Sequence, residues 1–451
     1  MPLSPYALFG IFSPNWLPSC VYIRKSYAMQ EDFLQYLWKY GLFPADQLFT
    51  STHDRVEILA TGQFNSNAGP DFLFARIRIG STVWVGHVEI HVKASDWFRH
   101  GHDKDPAYDP VVLHVVHEAD CEVFRSNGGA IPVVRLPVKS SYLDNYHRIL
   151  STLSPVPCET GWKNLEPLEV ENWLIAMGIE RMEVKAAEIS GRLSDNHGGW
   201  EETLLQLLFR SFGFGINQEA FDRLGRSIPL QSLRFTGSNM LRMEALLFGQ
   251  SGMIPDRKPD VYTRALAAEY IFLRRKYNLI PVPNPGWKFL RMRPSNFPTV
   301  RMAQLAAFLA GNPNRLELIT HSAGLIEPGV FSYPVSSYWK IHYDFAKKWS
   351  GKYPDIGQET VNLFRINAAI PFAACYAGRH GDPTAREKWM EALERLPAES
   401  NRVTRVWTGY GYRVPNAFYS QAFLHLYSVY CHHRKCLSCR IGQYLIRNPD
   451  G

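Results

Sequence analysis

The stretch His87-Val88-Glu89-Ile90-His91-Val92-Lys93 decides how this chain is read. A β-strand turns successive side chains to opposite faces. Val88, Ile90 and Val92 therefore form an apolar stripe, and His87, Glu89, His91 and Lys93 form the other face. That second face is a row of imidazoles, a carboxylate and an ammonium. A solvated strand ordinarily carries Thr, Lys, Glu and Gln there. Two histidines with a glutamate instead offer metal ligands and proton carriers.

Upstream lies Asn65-Ser66-Asn67-Ala68-Gly69-Pro70-Asp71-Phe72. Gly-Pro marks a turn that delivers Asp71 at the start of a strand over 72–79. A hairpin turning at Gly80-Ser81-Thr82 pairs that strand with Val83–Lys93 and brings Asp71 opposite the stretch Ile90–Val92. Asp71 then stands beside Glu89, His91 and Lys93. Two acids and a lysine on adjoining strands suit metal-assisted phosphodiester hydrolysis. The carboxylates hold Mg²⁺ or Mn²⁺, and the lysine offsets developing charge. Asp71, Glu89, His91 and Lys93 are thus the candidate catalytic residues, and the first three are the candidate ligands. Downstream come Asp96, His100, His102, Asp105, Tyr108 and His114. Read separately, these support a second function, a His-rich metal hydrolase of small molecules. Asp96 also suits a turn cap, and His114 a core histidine within an apolar strand.

The remaining segments extend this sheet. Val56–Ala60 and Val111–Val116 are apolar strands. Ile131–Val138 carries Pro132 and Pro137, which places it at an edge. Residues 29–44 have helical spacing, with Phe33, Leu34, Leu37, Trp38 and Leu42 on one side. Residues 29–150 therefore read as an α/β unit with a mixed or antiparallel sheet. From 160 to 451 the periodicity is helical, over 165–192, 204–212, 240–248, 261–277, 302–309, 361–374, 386–396 and 417–430. The fold class is α+β, a mixed sheet with flanking helices followed by a larger helical domain.

Composition bounds the function further. The chain has 451 residues, 46% hydrophobic and 20% charged, as a folded globular protein does. A net charge of +7 permits a polyanionic partner. No apolar run reaches the roughly 18 residues of a membrane span. Residues 1–28 contain Pro2, Pro5, Pro14 and Pro18 without a basic n-region, and read as an extension outside the fold and not as a signal peptide. Seven unevenly spaced cysteines make no disulfide framework, which points to a reducing cytoplasm.

Two further segments carry chemistry. Tyr430-Cys431-His432-His433-Arg434-Lys435-Cys436-Leu437-Ser438-Cys439 places three thiols at C-x₄-C-x₂-C spacing. That suits Zn²⁺ or an iron–sulfur cluster, with a loop histidine or Cys158 as fourth ligand. Between Tyr270 and Leu316 there is no acid, while Lys288, Arg291, Arg293, Asn296 and Arg301 alternate with aromatics. Such a stretch suits phosphate contact and base stacking. Those five are the candidate nucleic-acid contacts.

Pro70-Asp71 followed by Glu89 and Lys93 resembles the PD-(D/E)xK nuclease superfamily. That resemblance implies a restriction-endonuclease-like mixed sheet flanked by helices, and metal-dependent cleavage of DNA or RNA. In that superfamily an acid stands two residues before the lysine; here His91 does. Either His91 takes the acid's place, or Glu89 keeps it and His91 stands where the lysine would. A non-catalytic nucleic-acid-binding or scaffold protein on the same fold is the reading in which His91 marks lost chemistry. Some members carry a C-terminal iron–sulfur cluster closed by a distant cysteine, which implies Cys158 as partner of Cys431, Cys436 and Cys439. From Met29 on, the chain also resembles a bacterial family, domain of unknown function 2851. The shared features are Asn67–Phe72, Val88–Lys93 with Ser95-Asp96-Trp97, His100-Gly101-His102, Arg291-x-Arg293-Pro294-x-Asn296-Phe297-Pro298 and Cys436-Leu437-x-Cys439-x-Ile441-Gly442.

Overall fold

The computed structural model describes residues 29–448 except 160, 257–259, 284–285, 323–327, 332, 352 and 354–355. The extension expected over 1–28 lies outside the described residues. Two compact units divide the chain. One runs through Leu153 and resumes at Cys436; the other is Ser154–Lys435.

The first unit opens with α1 (Glu31–Lys39), whose Phe33, Leu34, Leu37 and Trp38 are fully buried, as their helical spacing requires. A six-stranded mixed sheet follows. Its strands are β1 (Val56–Ala60), β2 (Gln63–Phe64), β3 (Phe72–Ile79), β4 (Thr82–Lys93), β5 (Val111–Glu118) and, after a separate two-stranded pair, β8 (Val133–Arg135). The pair consists of β6 (Val123–Phe124) and β7 (Ala130–Ile131). The order is β1-β3-β4-β5-β8, with β2 on β3. β1, β3 and β4 run antiparallel, whereas β4, β5 and β8 are parallel. β8 sits at the edge, where neighbouring Pro132 and Pro137 do not interrupt a ladder.

The β3–β4 hairpin turns tightly, with Ile79 opposite Thr82 and Gly80 at φ 59°. Undistorted pairing from that turn would set Asp71 against Ile90. A bulge between Phe72 and Ala75 adds one residue to β3, with Phe74 at φ 58°. Phe72 therefore pairs with Val88, and Asp71 falls beside Glu89. The bulge also turns both Phe72 and Ala75 into the core and leaves Phe74 exposed.

Between β4 and β5 the chain makes a parallel crossover through α2 (Asp96–Arg99) and two short 3₁₀ turns, His102–Lys104 and Pro106–Tyr108. Trp97 anchors this crossover in a core with Ala94, Val111, Val116, Val123, Ile131 and Val133. After the sheet comes α3 (Ser140–Ser151). The last helix, Arg440–Arg447, also folds with this unit, which corrects the assignment of 160–451 as a whole to the helical domain. It buries Ile441, Leu445 and Ile446. Asn145 donates to the Ile446 carbonyl at 3.1 Å, and the Arg447 Nε donates to the Tyr36 hydroxyl at 3.1 Å.

The second unit is helical, and among its described residues the strands are limited to a short pair at His342–Asp344 and Lys347–Lys348. Its first helices are α4 (Pro167–Asp195), α5 (Trp200–Phe212), α6 (Gln218–Ser227), α7 (Leu230–Thr236), α8 (Met240–Gln250), α9 (Val261–Tyr277) and α10 (Pro298–Gly311). Leu208, Phe209, Phe221, Phe248, Leu266 and Met302 meet in one core. Expected helices at 361–374 and 417–430 are continuous but carry π-helical turns at Arg365–Ala369 and Leu426–Cys431. Among the described residues no helix is long and apolar enough to cross a membrane.

Candidate metal centre

Glu89 and His91, two apart on β4, face the same side of the sheet and are both buried, at 5% and 0% exposure. The bulge supplies Asp71. Its carboxylate accepts the Ile90 amide through Oδ2 at 3.0 Å and the Gln35 side chain through Oδ1 at 2.9 Å. Its own amide donates to Glu89 Oε2 at 3.0 Å. The two acids are thus locked together by backbone groups, with geometry set by hairpin register.

The histidines complete the cluster. His91 Nδ1 lies 2.8 Å from His114 Nε2, and His91 Nε2 lies 3.1 Å from His100 Nδ1. His91 Nε2 is also 3.5 Å from Glu89 Oε1, and His102 Nε2 is 3.3 Å from the same oxygen. Gly101, at φ 77°, makes the turn that lets His100 and His102 approach the same place. Tyr108 stacks on His102 with ring centres 3.7 Å apart. Ligand atoms of His91, His100 and His102 all lie within 4.8 Å of one another. The histidines of the crossover and the acids of the hairpin, read from sequence as two rival sites, form a single centre.

Burial sets the charge state. Glu89 is pushed up to about 8, chiefly by desolvation. Asp71 rises to about 7 through burial and then repulsion by Glu89. Glu31, in the first turn of α1, rises to about 7 through burial and then repulsion by Asp71. His91 falls to about 2 and His114 to about 3, both mainly through burial, so both are neutral at physiological pH. His100 and His102 are lowered for the same leading reason. Three carboxyl groups that resist ionisation beside neutral imidazoles make a donor set that a divalent cation would stabilise. His114 supports His91 from behind, in the manner of an outer-shell partner that orients a ligand.

Glu31 and Gln35 have no counterpart in the sequence reading. Their spacing of four residues places them on one face of α1 and was the available signal. Asp96 is a cap: its Oδ2 accepts the Lys93 amide at 3.1 Å, and its Oδ1 pairs with Arg99 at 3.0 Å. Lys93 does not turn into the cluster. Its Nζ lies 3.1 Å from Glu118, its neighbour across β5, and the side chain is half exposed.

The other candidate residues fall elsewhere. Cys436 and Cys439 belong to the first unit, Cys158 and Cys431 to the second, and all four are buried. The Trp162 indole donates to the Cys158 sulfur at 3.1 Å. In the second unit, the Lys288 backbone is clasped by Asn217, which accepts its amide at 2.9 Å and donates to its carbonyl at 3.1 Å. Arg291, Arg293, Asn296 and Arg301 line a common cavity.

The chain matches the family model described as "Protein of unknown function (DUF2851)" over residues 31–402, and it belongs to that family. No curated protein and no solved structure matches it.

Proposed function

We propose that this family member is a metal-dependent phosphodiesterase acting on DNA or RNA, with its centre on the β3–β4 hairpin. The observation that carries the reading is the convergence of Asp71, Glu89, His91 and His102 with the exposed His100 in one cluster. Mixed carboxylate and imidazole donors fit Mn²⁺ better than Mg²⁺, which prefers oxygen. A divalent ion bound there polarises a phosphoryl oxygen and brings the pKa of a bound water toward neutrality.

The chain's own groups then divide the work. Asp71 and Glu89 hold charge where their backbone hydrogen bonds fix them. His91, held through Nδ1 by His114, presents Nε2 in a neutral form. In this arrangement Glu89 keeps the acid position and His91 stands two residues on, where the superfamily has lysine. His102 Nε2, beside Glu89, is placed to accept the proton of an attacking water. His100 is the exposed member and exchanges that proton with solvent.

The test is cleavage of labelled single- and double-stranded DNA and RNA with Mn²⁺ or Mg²⁺, comparing wild type with His91→Ala and Asp71→Asn. The reading expects Mn²⁺-dependent cleavage that falls at least a hundredfold in both variants. Cleavage unchanged in both would overturn it. The burial of Glu89, His91 and His102 favours a second reading, hydrolysis of small phosphodiesters. Activity on bis(p-nitrophenyl) phosphate without activity on any polynucleotide selects that one. Metal binding without hydrolysis of either substrate selects a scaffold role.

A further inference from the structure

The second unit contains a cavity of about 330 Å³ lined by three arginines, Arg291, Arg293 and Arg301, with Asn217, Asn296 and Phe214. Among the described residues no aspartate or glutamate lines it. Its size is that of a small-molecule site.

Arg301 is the informative residue. It projects from the first turn of α10, and its guanidinium lies over the Phe214 ring, 4.3 Å from the centre. Two of its nitrogens bond neutral amides, to Gln304 Oε1 at 2.9 Å and to Asn296 Oδ1 at 2.7 Å. Its Nε is buried with no hydrogen-bond partner. Among the described residues no carboxylate pairs with Arg301. Burial depresses it to about 10, the behaviour of a cation lacking a counter-ion. A half-buried charge with no counter-ion is costly, and a ligand that supplies its partner would offset that cost.

The walls show the same purpose. Phe214 and Arg291 both sit at positive φ, 39° and 58°. Non-glycine residues in that region carry strain, which clusters at ligand sites. Asn217 clasps the Lys288 backbone through both ends of its amide and also donates to the Met292 sulfur at 3.9 Å, and so fixes the loop that bears Arg291 and Arg293. Asn296 gives its oxygen to Arg301 and keeps its NH₂ as a donor.

We infer that this cavity binds a nucleoside monophosphate group, with the phosphate on the arginines and the remainder filling the space beside Phe214. A phosphate monoester suits this lining because it brings nearly two charges and three acceptor oxygens to guanidinium donors that converge on one cavity. The volume exceeds what phosphate alone fills. The same chemistry is offered by a free mononucleotide and by the 5′-phosphorylated end of a strand. This site belongs to the second unit and does not depend on the proposed activity of the first.

Isothermal titration of the full chain with adenosine 5′-monophosphate, adenosine, inorganic phosphate and a 5′-phosphorylated oligonucleotide tests this. A phosphorylated ligand is expected to bind at least tenfold more tightly than adenosine, and more tightly than phosphate alone. Arg301→Gln should weaken it at least tenfold, and the exposed Arg293→Gln about threefold or more. Without ligand, Arg301→Gln should leave the Tm unchanged or raised, because it removes a half-buried charge that has no counter-ion. Preference for the oligonucleotide assigns the strand end, and preference for the nucleotide assigns the free ligand; either sustains the inference. It is overturned if neither phosphorylated ligand binds better than adenosine, or if Arg293→Gln keeps wild-type affinity. A fall in Tm for Arg301→Gln with nucleotide affinity intact would also overturn it, by making that arginine structural.

Discussion

Replacing Glu89 with glutamine separates a cation site from a structural cluster. Glutamine keeps the shape and an oxygen for the Asp71 amide. It removes the charge that burial opposes. The folded-state pKa of Glu89 is raised from 4.5 to about 8. The sign follows from linkage: a raised carboxyl pKa costs nothing below the unfolded value, and the cost grows to its full size above the folded one. At about 1.4 kcal/mol per unit, the shift is worth at most about 5 kcal/mol. Asp71 shares part of the same repulsion, and a buried amide retains some desolvation cost, so about 3 kcal/mol is the expected gain. For a unit of this size that raises Tm by about 6–12 °C. The assay is thermal unfolding in EDTA at pH 5 and pH 9. Glu89→Gln should be markedly more stable than wild type at pH 9 and close to it at pH 5. With excess Mn²⁺ the order should reverse, because only wild type gains the ion's binding energy. A variant that is less stable than wild type at pH 9 in EDTA would refute the reasoning.

Two other outcomes follow from the geometry. Lys93→Ala should leave stability nearly unchanged and any cleavage within about threefold, because its partner Glu118 forms an exposed pair away from the cluster; a hundredfold loss of activity would restore the lysine to the centre. His114→Ala should weaken Mn²⁺ binding about 10- to 100-fold without removing a ligand, since it frees His91 to reorient; equilibrium dialysis reads this, and unchanged affinity contradicts it.

Much of the first unit was legible because its signals are local. The alternation at 87–93, the Gly-Pro turn before Asp71 and the spacing of Phe33, Leu34, Leu37 and Trp38 each follow from backbone geometry alone. The bulge at Phe74 was not legible. It depends on packing both Phe72 and Ala75 inward, and it moves Asp71 by one residue to Glu89. The union of the acid and histidine sites was hidden for a similar reason: the parallel crossover brings His100 and His102 back over β4, and periodicity carries no information about crossovers. Lys93 shows the limit of face arguments. It shares a face with Glu89 by alternation, yet at the strand's end the nearest opposite charge, Glu118, takes its side chain. The C-terminal helix lies beyond the last segment read as helical, 417–430, and its place in the first unit depends on tertiary contacts such as Asn145 to Ile446.

The central claim is that Asp71, Glu89 and the histidines form a divalent-cation site, and proton release upon binding tests it most directly. At pH 7 Glu89 is largely protonated, while Asp71 and Glu31 are about half so. Mn²⁺ titrated at that pH in two buffers of different ionisation enthalpy should displace about two protons per ion if all three acids respond. Glu89→Gln should bind far more weakly and release fewer. Absence of binding by wild type, or binding with no proton released, would contradict the account.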